Sequence, residues 1–186
     1  MRRIYFVRHC SADGQHKDSP LTRAGIRQAG ELANFFNERK IPVDIILSSP
    51  YLRAVESIKP YAEMIGKTII KDERLKERIL SEDPVEDWVE ALNNSFLDDS
   101  YKLSGGESAQ DVVARSIEVL QQIYKDASIK NAIVVSHGNL LSHLFNQFDE
   151  KFGFEQSKEL RNPDIYLLQL DHNSKFYNIE CVWKPR

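Results

Sequence analysis

Residues 132–135 limit the possible folds more than any other part of this sequence. The run is continuously apolar and rich in β-branched side chains, which is typical of a strand covered by helices on both faces. Similar short runs occur at residues 3–7, 43–47 and 68–71. Segments with helical periodicity separate these runs, so the sequence predicts parallel strands joined by right-handed crossovers.

Several segments between the strands have the periodicity of amphipathic helices. The pattern predicts a helix over residues 22–38 and a second over residues 51–65, where Pro60 should kink or break it. A long helix precedes the fourth strand, and another follows it over residues 140–148. The side chains expected to face the core are Ile26, Ala29, Ala33 and Phe36 in the first helix and Val113, Ile117, Leu120 and Tyr124 in the long one.

The C-terminal part of the sequence departs from this alternation. Residues 165–170 and 176–183 resemble two strands joined by a short polar turn at 171–174, which predicts an antiparallel hairpin. The expected fold class is therefore α/β, a three-layer α/β/α sandwich whose mostly parallel central sheet has an antiparallel C-terminal edge. A length of 186 residues favours one domain over residues 1–186.

An acidic, irregular segment at residues 79–108 interrupts the α/β pattern. It predicts a helix around residues 85–97 and a loop at 104–106. We expect an insertion that lies over the sheet and covers the functional site, rather than a second domain.

Charge and composition exclude several classes of partner. The net charge of −3 gives no basic excess, so neither nucleic acid nor an anionic membrane surface is an expected partner. No apolar run approaches the ~20 residues that a membrane-spanning helix needs. Cys10 and Cys181 form neither a disulfide framework nor a zinc-binding spacing. These features together predict a cytoplasmic protein.

The sequence lacks the common motifs of phosphate-binding, thiol-dependent and metal-dependent sites. Residues 66–68 resemble the end of a P-loop, but Tyr61 stands where the leading glycine is needed. A cysteine phosphatase with its nucleophile at Cys10 would need arginine where His16 stands. There is no HExxH motif and no metal-ligand spacing. The sequence therefore predicts no metal site and no cofactor.

Cationic and imidazole side chains follow three of the predicted strands. Arg8 and His9 end the first, Arg53 comes after the second, and His137 and Gly138 follow the fourth. The carboxyl ends of the strands line the ligand crevice in open α/β sheets, so these residues should converge. Clustered cations repel one another, and a phosphate group would stabilise them. Backbone N–H groups at the helix start near Gly138 would add donors, so the pattern predicts a phosphate pocket.

Each of these residues has a simpler explanation when taken alone. A single histidine after a strand is more often solvated or structural than catalytic, and Arg53 and Glu77 would by default be surface charges. The shared placement at strand ends is what favours a site.

The order of the motifs resembles that of the histidine phosphatase superfamily, the group that includes cofactor-dependent phosphoglycerate mutase. Arg8-His9 is similar to its RHG signature, and residues 136–138 are similar to its second histidine motif. Between them, residues 18–29 are similar to D-x-PLT-x-x-G-x-x-QA, 48–54 to SSP-x-x-RA, 75–77 to the L-x-E that carries an acid, and 106–108 with Arg115 to GES…R. Six similarities in sequence order are a specific signal.

The resemblance implies a role for each matching residue. His9 is expected to be the nucleophile that forms a phosphohistidine, while Arg8, Arg53 and His137 hold the phosphoryl group. Glu77 is implied as the general acid. This chemistry needs no metal, because a neutral imidazole nitrogen attacks directly and paired cations hold the charge of the transition state.

The sequence also departs from the family pattern. Cys10 replaces the usual glycine, and Ser11 stands where many members have glutamate. Gln15 occupies a position often filled by a phosphate-contacting asparagine, so we expect Gln15 and Gly138 to join the substrate-binding residues. Other carboxylates near enough in sequence to replace Glu77 are Glu73, Glu82 and Asp83.

Three functions fit this pattern. The favoured one is a metal-independent phosphomonoester hydrolase acting on a small phosphorylated substrate. A phosphoglycerate mutase must retain a bisphosphorylated intermediate, which the acidic segment 79–108 disfavours. A phospho-ligand binding module without turnover is the third, although every expected reacting position holds a competent residue. The sequence leaves the substrate's identity and the oligomeric state open.

Overall fold

A six-stranded sheet forms the centre of the computed structural model, which describes residues 1–170 and 176–183. Its strands are β1 (Arg2–Arg8), β2 (Ile45–Ser48), β3 (Ile69–Lys71), β4 (Asn131–Ser136), β5 (Asp164–Leu170) and β6 (Phe176–Cys181). They lie in the order β3-β2-β4-β1-β5-β6. The first four are parallel, and β5 and β6 pair antiparallel to their neighbours.

Helices cover both faces of this sheet. They are α1 (Arg23–Glu38), α2 (Leu52–Met64), α3 (Trp88–Leu97), α4 (Ala109–Lys125), α5 (Gly138–Asn146) and α6 (Phe154–Glu159), with a 3-10 turn at Glu73–Leu75. On one face α1 and α2 pack over Val7 and Ile133, and on the other α4 and α5 pack over Phe6 and Val134. Every residue of β4 is buried. The prediction of a three-layer, mostly parallel sheet is therefore confirmed.

The antiparallel C-terminal edge is also confirmed. Strand β5 pairs with β1 along its full length, and β6 pairs with β5. The turn predicted at residues 171–174 lies outside the described residues. None of the described helices is long and apolar enough to cross a membrane.

The predicted core stripe of α1 is wrong at its first position. Ile26 is 63% exposed, whereas Ala29, Ala33 and Phe36 are buried as expected. The first turn instead presents Gly25 to the preceding loop, so closely that a Cβ there would lie 2.0 Å from the backbone oxygen of Ser11. Ile26 therefore points away from that contact.

The predicted core stripe of α4 is displaced by one residue. Val113, Ile117 and Tyr124 are only half-buried, although Leu120 is buried as expected. The side chains that face the sheet belong to Val112, Ser116, Val119 and Ile123. A serine fits this stripe because its hydroxyl donates to the backbone oxygen of Val112, which hydrophobic periodicity does not reveal.

Pro60 was expected to kink or break helix α2, but α2 continues through Pro60 to Met64, so the proline does not break it. The proline removes one backbone donor. Side chains on both sides of it are buried, at Ile58, Tyr61 and Ala62. Packing against α1 therefore keeps the helix continuous despite the missing hydrogen bond.

Candidate active site

His9 lies immediately after β1, at the carboxyl end of the parallel strands. Its Nδ1 lies 2.7 Å from the backbone oxygen of Cys10. Because a carbonyl oxygen only accepts, Nδ1 must carry the ring proton, which leaves the lone pair on Nε2. Nε2 accepts a hydrogen bond from Nε of Arg53 at 3.3 Å. The ring therefore presents an unprotonated nitrogen to a cationic neighbour.

The surroundings of His9 keep its imidazole neutral. Burial lowers its pKa to about 3, the bond to the Cys10 carbonyl opposes that shift, and the charges of Arg53 and Arg8 lower the pKa further. The side chain is 7% exposed. A neutral imidazole is the form with a lone pair available for attack.

Arg53 occupies the first turn of α2 and is almost fully buried. Its Nη1 donates to the backbone oxygens of Gln15 and His16, at 3.1 and 2.9 Å. Burial lowers its pKa, and the charge of Glu77 opposes that shift. The guanidinium is thus fixed by neutral acceptors and by the ring of Tyr51, 5.0 Å away.

His137 caps the N-terminus of α5 and is fully buried. Its ring centroid lies 5.0 Å from that of His9, and its Nε2 lies 2.7 Å from the hydroxyl oxygen of Ser49. Burial lowers its pKa well below the ordinary value, and the groups of His9 and Arg53 add to that shift. Its Nδ1 has no hydrogen-bond partner among the described residues.

Arg8 reaches the same helix terminus from the end of β1. Its Nη1 donates to the backbone oxygen of Leu160, whereas its Nε has no partner within residues 1–170 and 176–183. A Cβ at Gly138 would lie 3.0 Å from the Arg8 guanidinium carbon, so glycine gives the arginine its room. Burial lowers the pKa of Arg8, and Glu77 opposes the shift. An anion between Arg8 and His137 would satisfy both unpartnered nitrogens.

The carboxylate of Glu77 lies at the N-terminus of α5 as well. It accepts hydrogen bonds from the backbone N–H groups of Asn139 at 3.2 Å, Leu140 at 3.0 Å and Arg78 at 2.8 Å. Two of these three donors belong to the first turn of α5. Glu77 therefore shares one helix terminus with His137.

Arg115 on α4 holds the loop that carries Glu77. It forms a two-pronged ion pair with Glu107, with N–O distances of 2.8 and 2.9 Å. It also donates to the backbone oxygens of Arg74 and Lys76. The GES…R similarity thus corresponds to a brace that fixes the loop.

The alternative acids have different surroundings. Glu73, Glu82 and Asp83 are exposed, and the carboxylate of Glu82 accepts from the Ser104 hydroxyl at 2.6 Å. The Gln15 side chain is also exposed, and this residue reaches Arg53 through its backbone oxygen.

Sequence reasoning did not single out three residues that contact the site. Ser49 and Tyr51 touch His137, and both lie inside the SSP-x-x-RA similarity, which could have indicated them. Asn162 donates to the backbone oxygen of His9 at 2.7 Å across 153 positions of sequence, and no local pattern signals that contact.

Buried histidines predict that the protein loses stability in acid. The pKa values of His9 and His143 are both lowered to about 3, chiefly by burial. The pKa of a histidine in the unfolded chain is near 6.5. At pH values between about 6.5 and about 3, the unfolded chain therefore binds protons that the folded chain does not. The free energy of unfolding should therefore fall with decreasing pH, by up to about 1.4 kcal/mol per pH unit for each ring.

Urea unfolding between about pH 7 and about pH 4 measures this dependence. The matched variant is His143→Gln, which keeps an acceptor for Arg78 Nη1, now 3.1 Å from the ring nitrogen, and removes one titrating group. We expect a shallower dependence in that variant. Equal slopes in both proteins would contradict the explanation.

The described residues include no group of three histidine, cysteine, aspartate or glutamate side chains that could hold a metal ion. Arg53 and His137 both lie against His9, and Arg8 lies against Gly138 at the N-terminus of α5. The arrangement can bind an anion and present a nucleophilic nitrogen to it.

Comparison with known proteins identifies relatives of this chain. The family model described as "Histidine phosphatase superfamily (branch 1)" matches residues 4–180. A Hydrogenobacter thermophilus protein named "Putative phosphoserine phosphatase 2" is 33% identical over 156 residues, 76% of this chain and 75% of that protein. The "Probable phosphoglycerate mutase GpmB" of Yersinia pestis is 29% identical over 164 residues, 78% of this chain and 74% of its own.

Solved structures share the fold. A mycobacterial glucosyl-3-phosphoglycerate phosphatase with inorganic phosphate has a TM-score of 0.76 at 24% identity, covering 98% of this chain and 97% of the other. The phosphoserine phosphatase of Entamoeba histolytica, as the H9A mutant with phosphoserine, has a TM-score of 0.72 at 20% identity, covering 98% and 96%.

Proposed function

The chain belongs to the histidine phosphatase superfamily, and we propose that it is a metal-independent phosphomonoester hydrolase that works through a phosphohistidine at His9. The family and the named phosphatase relatives support phosphomonoester hydrolysis. The observation that carries the proposal is the state of the His9 ring. Its Nδ1 donates to the Cys10 carbonyl, so its Nε2 keeps a lone pair among buried cations.

In the first step, Nε2 of His9 attacks the phosphorus atom in line with the ester oxygen. The Nε2–P bond forms as the P–O ester bond breaks, and the leaving oxygen takes a proton from Glu77. Glu77 acts in its protonated form in this step. The products of this step are a free alcohol and a phosphohistidine.

In the second step, water attacks the phosphohistidine. Glu77, now a carboxylate, accepts a proton from the water as the new P–O bond forms and the Nε2–P bond breaks. Inorganic phosphate leaves, and the starting forms of both side chains return. The atoms therefore balance to one water consumed per ester hydrolysed.

Arg8, Arg53 and His137 would stabilise the charge on the phosphoryl oxygens. The unpartnered Nε of Arg8 and Nδ1 of His137 offer positions for such oxygens, because both are buried without acceptors among the described residues. These donors are fixed before the substrate arrives, and preorganised donors favour the transition state. The backbone N–H of Gly138 would add one donor, since those of Asn139 and Leu140 already donate to Glu77.

The segment 79–108 is proposed to cover this pocket. Phe96 of α3 stacks on His143 of α5, with ring centroids 4.4 Å apart. Arg78 donates to the Ser95 hydroxyl at 2.8 Å. The first contact holds the segment on α5, the helix whose N-terminus carries His137, and the second ties it to the residue after Glu77.

The negative charge of the segment 79–108 favours hydrolysis over mutase activity. Its acidic residues include Glu82, Asp83, Glu86, Asp87, Glu90, Asp98 and Asp99. A bisphosphorylated intermediate bound beneath them would meet like charges. We therefore propose a small substrate with one phosphate. Phosphoserine is the first candidate substrate, because the 33% identical relative is named as a phosphoserine phosphatase.

Phosphate release from a panel of phosphomonoesters tests the proposal. The panel holds phosphoserine, sugar phosphates, nucleotides and phosphopeptides, each assayed with and without a metal chelator. We expect turnover of at least one monoester that the chelator does not reduce. A separate reaction with 3-phosphoglycerate and 2,3-bisphosphoglycerate measures mutase activity. Binding without phosphate release, or isomerisation faster than hydrolysis, would contradict the proposal.

We also propose that the protein works in the cytoplasm without a nucleic-acid partner. Both of its cysteines are free thiols, which suits a reducing compartment. Its net charge of −3 does not favour binding to nucleic acid.

A further inference from the structure

The peptide group between His9 and Cys10 is held by side chains at both of its ends. Its carbonyl oxygen, on His9, accepts a hydrogen bond from Nδ2 of Asn162 at 2.7 Å. Its N–H, on Cys10, donates to the hydroxyl oxygen of Ser57 at 2.8 Å. The two partners come from α2 and from the segment before β5, so separate parts of the chain fix the plane of one peptide group.

The next peptide group, between Cys10 and Ser11, is held in the same way. Its carbonyl oxygen accepts from Nδ1 of His9 at 2.7 Å, and its N–H donates to Oε1 of Gln28 at 2.9 Å. The Cys10 carbonyl therefore holds the ring proton on Nδ1, and the Arg53 donor at Nε2 favours the same tautomer. The direction of this carbonyl depends on the peptide group before it.

We propose that Asn162 is a positioning residue that fixes the tautomer of the nucleophile. Without its donor, the His9 carbonyl loses one of the two bonds that set its peptide plane. The Cys10 carbonyl can then turn away from Nδ1, and the ring gains the tautomer with its proton on Nε2. That tautomer has no lone pair at the attacking atom. The inference rests on the proposed function, since it assigns Asn162 a part in the same reaction.

The segment that carries Asn162 has other anchors, so a variant at this position should keep its fold. Leu160 accepts from Arg8, and Arg161 pairs with the buried carboxylate of Asp164 at 3.1 Å. Asp164 itself pairs with Arg8 in the register of β5 on β1. These contacts fix the segment on both sides of the asparagine.

The chain offers a matched control for the loss of such a bond. Asn146, at the end of α5, donates through Nδ2 to the backbone oxygen of Phe152 at 3.0 Å. It lies at the opposite end of that helix from His137. Asn146→Ala therefore removes a bond of the same type without touching the His9 peptide groups.

The experiment compares wild type, Asn162→Ala and Asn146→Ala by long-range proton–nitrogen NMR on protein with labelled histidine. The His9 signals are assigned by their loss in His9→Ala. We expect the Nδ1-protonated ring in wild type and Asn146→Ala, and a mixture of tautomers in Asn162→Ala. We expect kcat to fall about 10- to 100-fold in Asn162→Ala, with KM within about twofold of wild type.

Asn162→Asp serves as a second variant, because it keeps the shape of the side chain and removes the donor. We expect the same change of tautomer in it. An Asn162→Ala protein with the wild-type tautomer and wild-type kcat would overturn the positioning role. Wild type that releases no phosphate from any monoester would instead overturn the proposed function, whatever the tautomer measurement shows.

Discussion

Replacing His9 with alanine should lower kcat/KM by about 10⁴-fold or more and remove the phosphoenzyme completely. The reason is that the imidazole supplies the atom that bonds to phosphorus. Cys10 follows it in sequence, but burial raises the pKa of that thiol to about 12, so it is not a thiolate at neutral pH. Rapid quenching after mixing with a labelled monoester should trap a base-stable, acid-labile phosphoenzyme in wild type and none in His9→Ala.

His143→Gln is the matched control for this experiment. His143 is buried, and burial lowers its pKa to about 3, as in His9. Its Nε2, however, lies 3.1 Å from both Arg78 and Ser95, beneath α3. We therefore expect the His143 variant to form the phosphoenzyme and to turn over. Turnover by His9→Ala at the wild-type rate would rule out the phosphohistidine.

The convergence of the site was predictable from the sequence because one topological rule governs it. Arg8, His9 and His137 each follow an apolar run, and side chains that follow parallel strands meet at one edge. The register of β1 against β4 pairs Arg8 with Ser136, which sets the two histidines side by side. The fold class followed from the same alternation of strands and helices.

Other parts of the site were not predictable, since they depend on contacts between distant segments. The contact of Asn162 with His9 requires β5 to pair with β1, and no local pattern states that pairing. The brace from Arg115 to the Glu77 loop joins residues about 40 positions apart. Periodicity also misplaced the α4 stripe, because a hydrogen bond within the helix lets Ser116 lie in the core.

Replacing Glu77 with glutamine should reduce activity by a factor that depends on the leaving group of the substrate. For an alkyl ester such as phosphoserine, the departing alkoxide needs a proton, and we expect kcat/KM to fall about 10²- to 10⁴-fold. For p-nitrophenyl phosphate, whose phenolate leaves without a proton, the fall in the rate of phosphoenzyme formation should stay below about tenfold. Steady-state assays on both esters, with rapid-quench measurement of phosphoenzyme formation, give the two ratios.

Glutamine keeps the size of the side chain and an oxygen that can accept from the α5 backbone, so the variant should fold. The controls are Glu73→Gln and Glu82→Gln, because both residues are nearby carboxylates with exposed side chains. Equal losses on the two esters in Glu77→Gln would show that Glu77 does not supply the proton. A leaving-group-dependent loss in one of the control variants would transfer the role to that residue. For each variant, the loss of activity on the alkyl ester is divided by the loss on p-nitrophenyl phosphate. This ratio identifies the proton donor, because a general loss of packing would slow the hydrolysis of both esters alike.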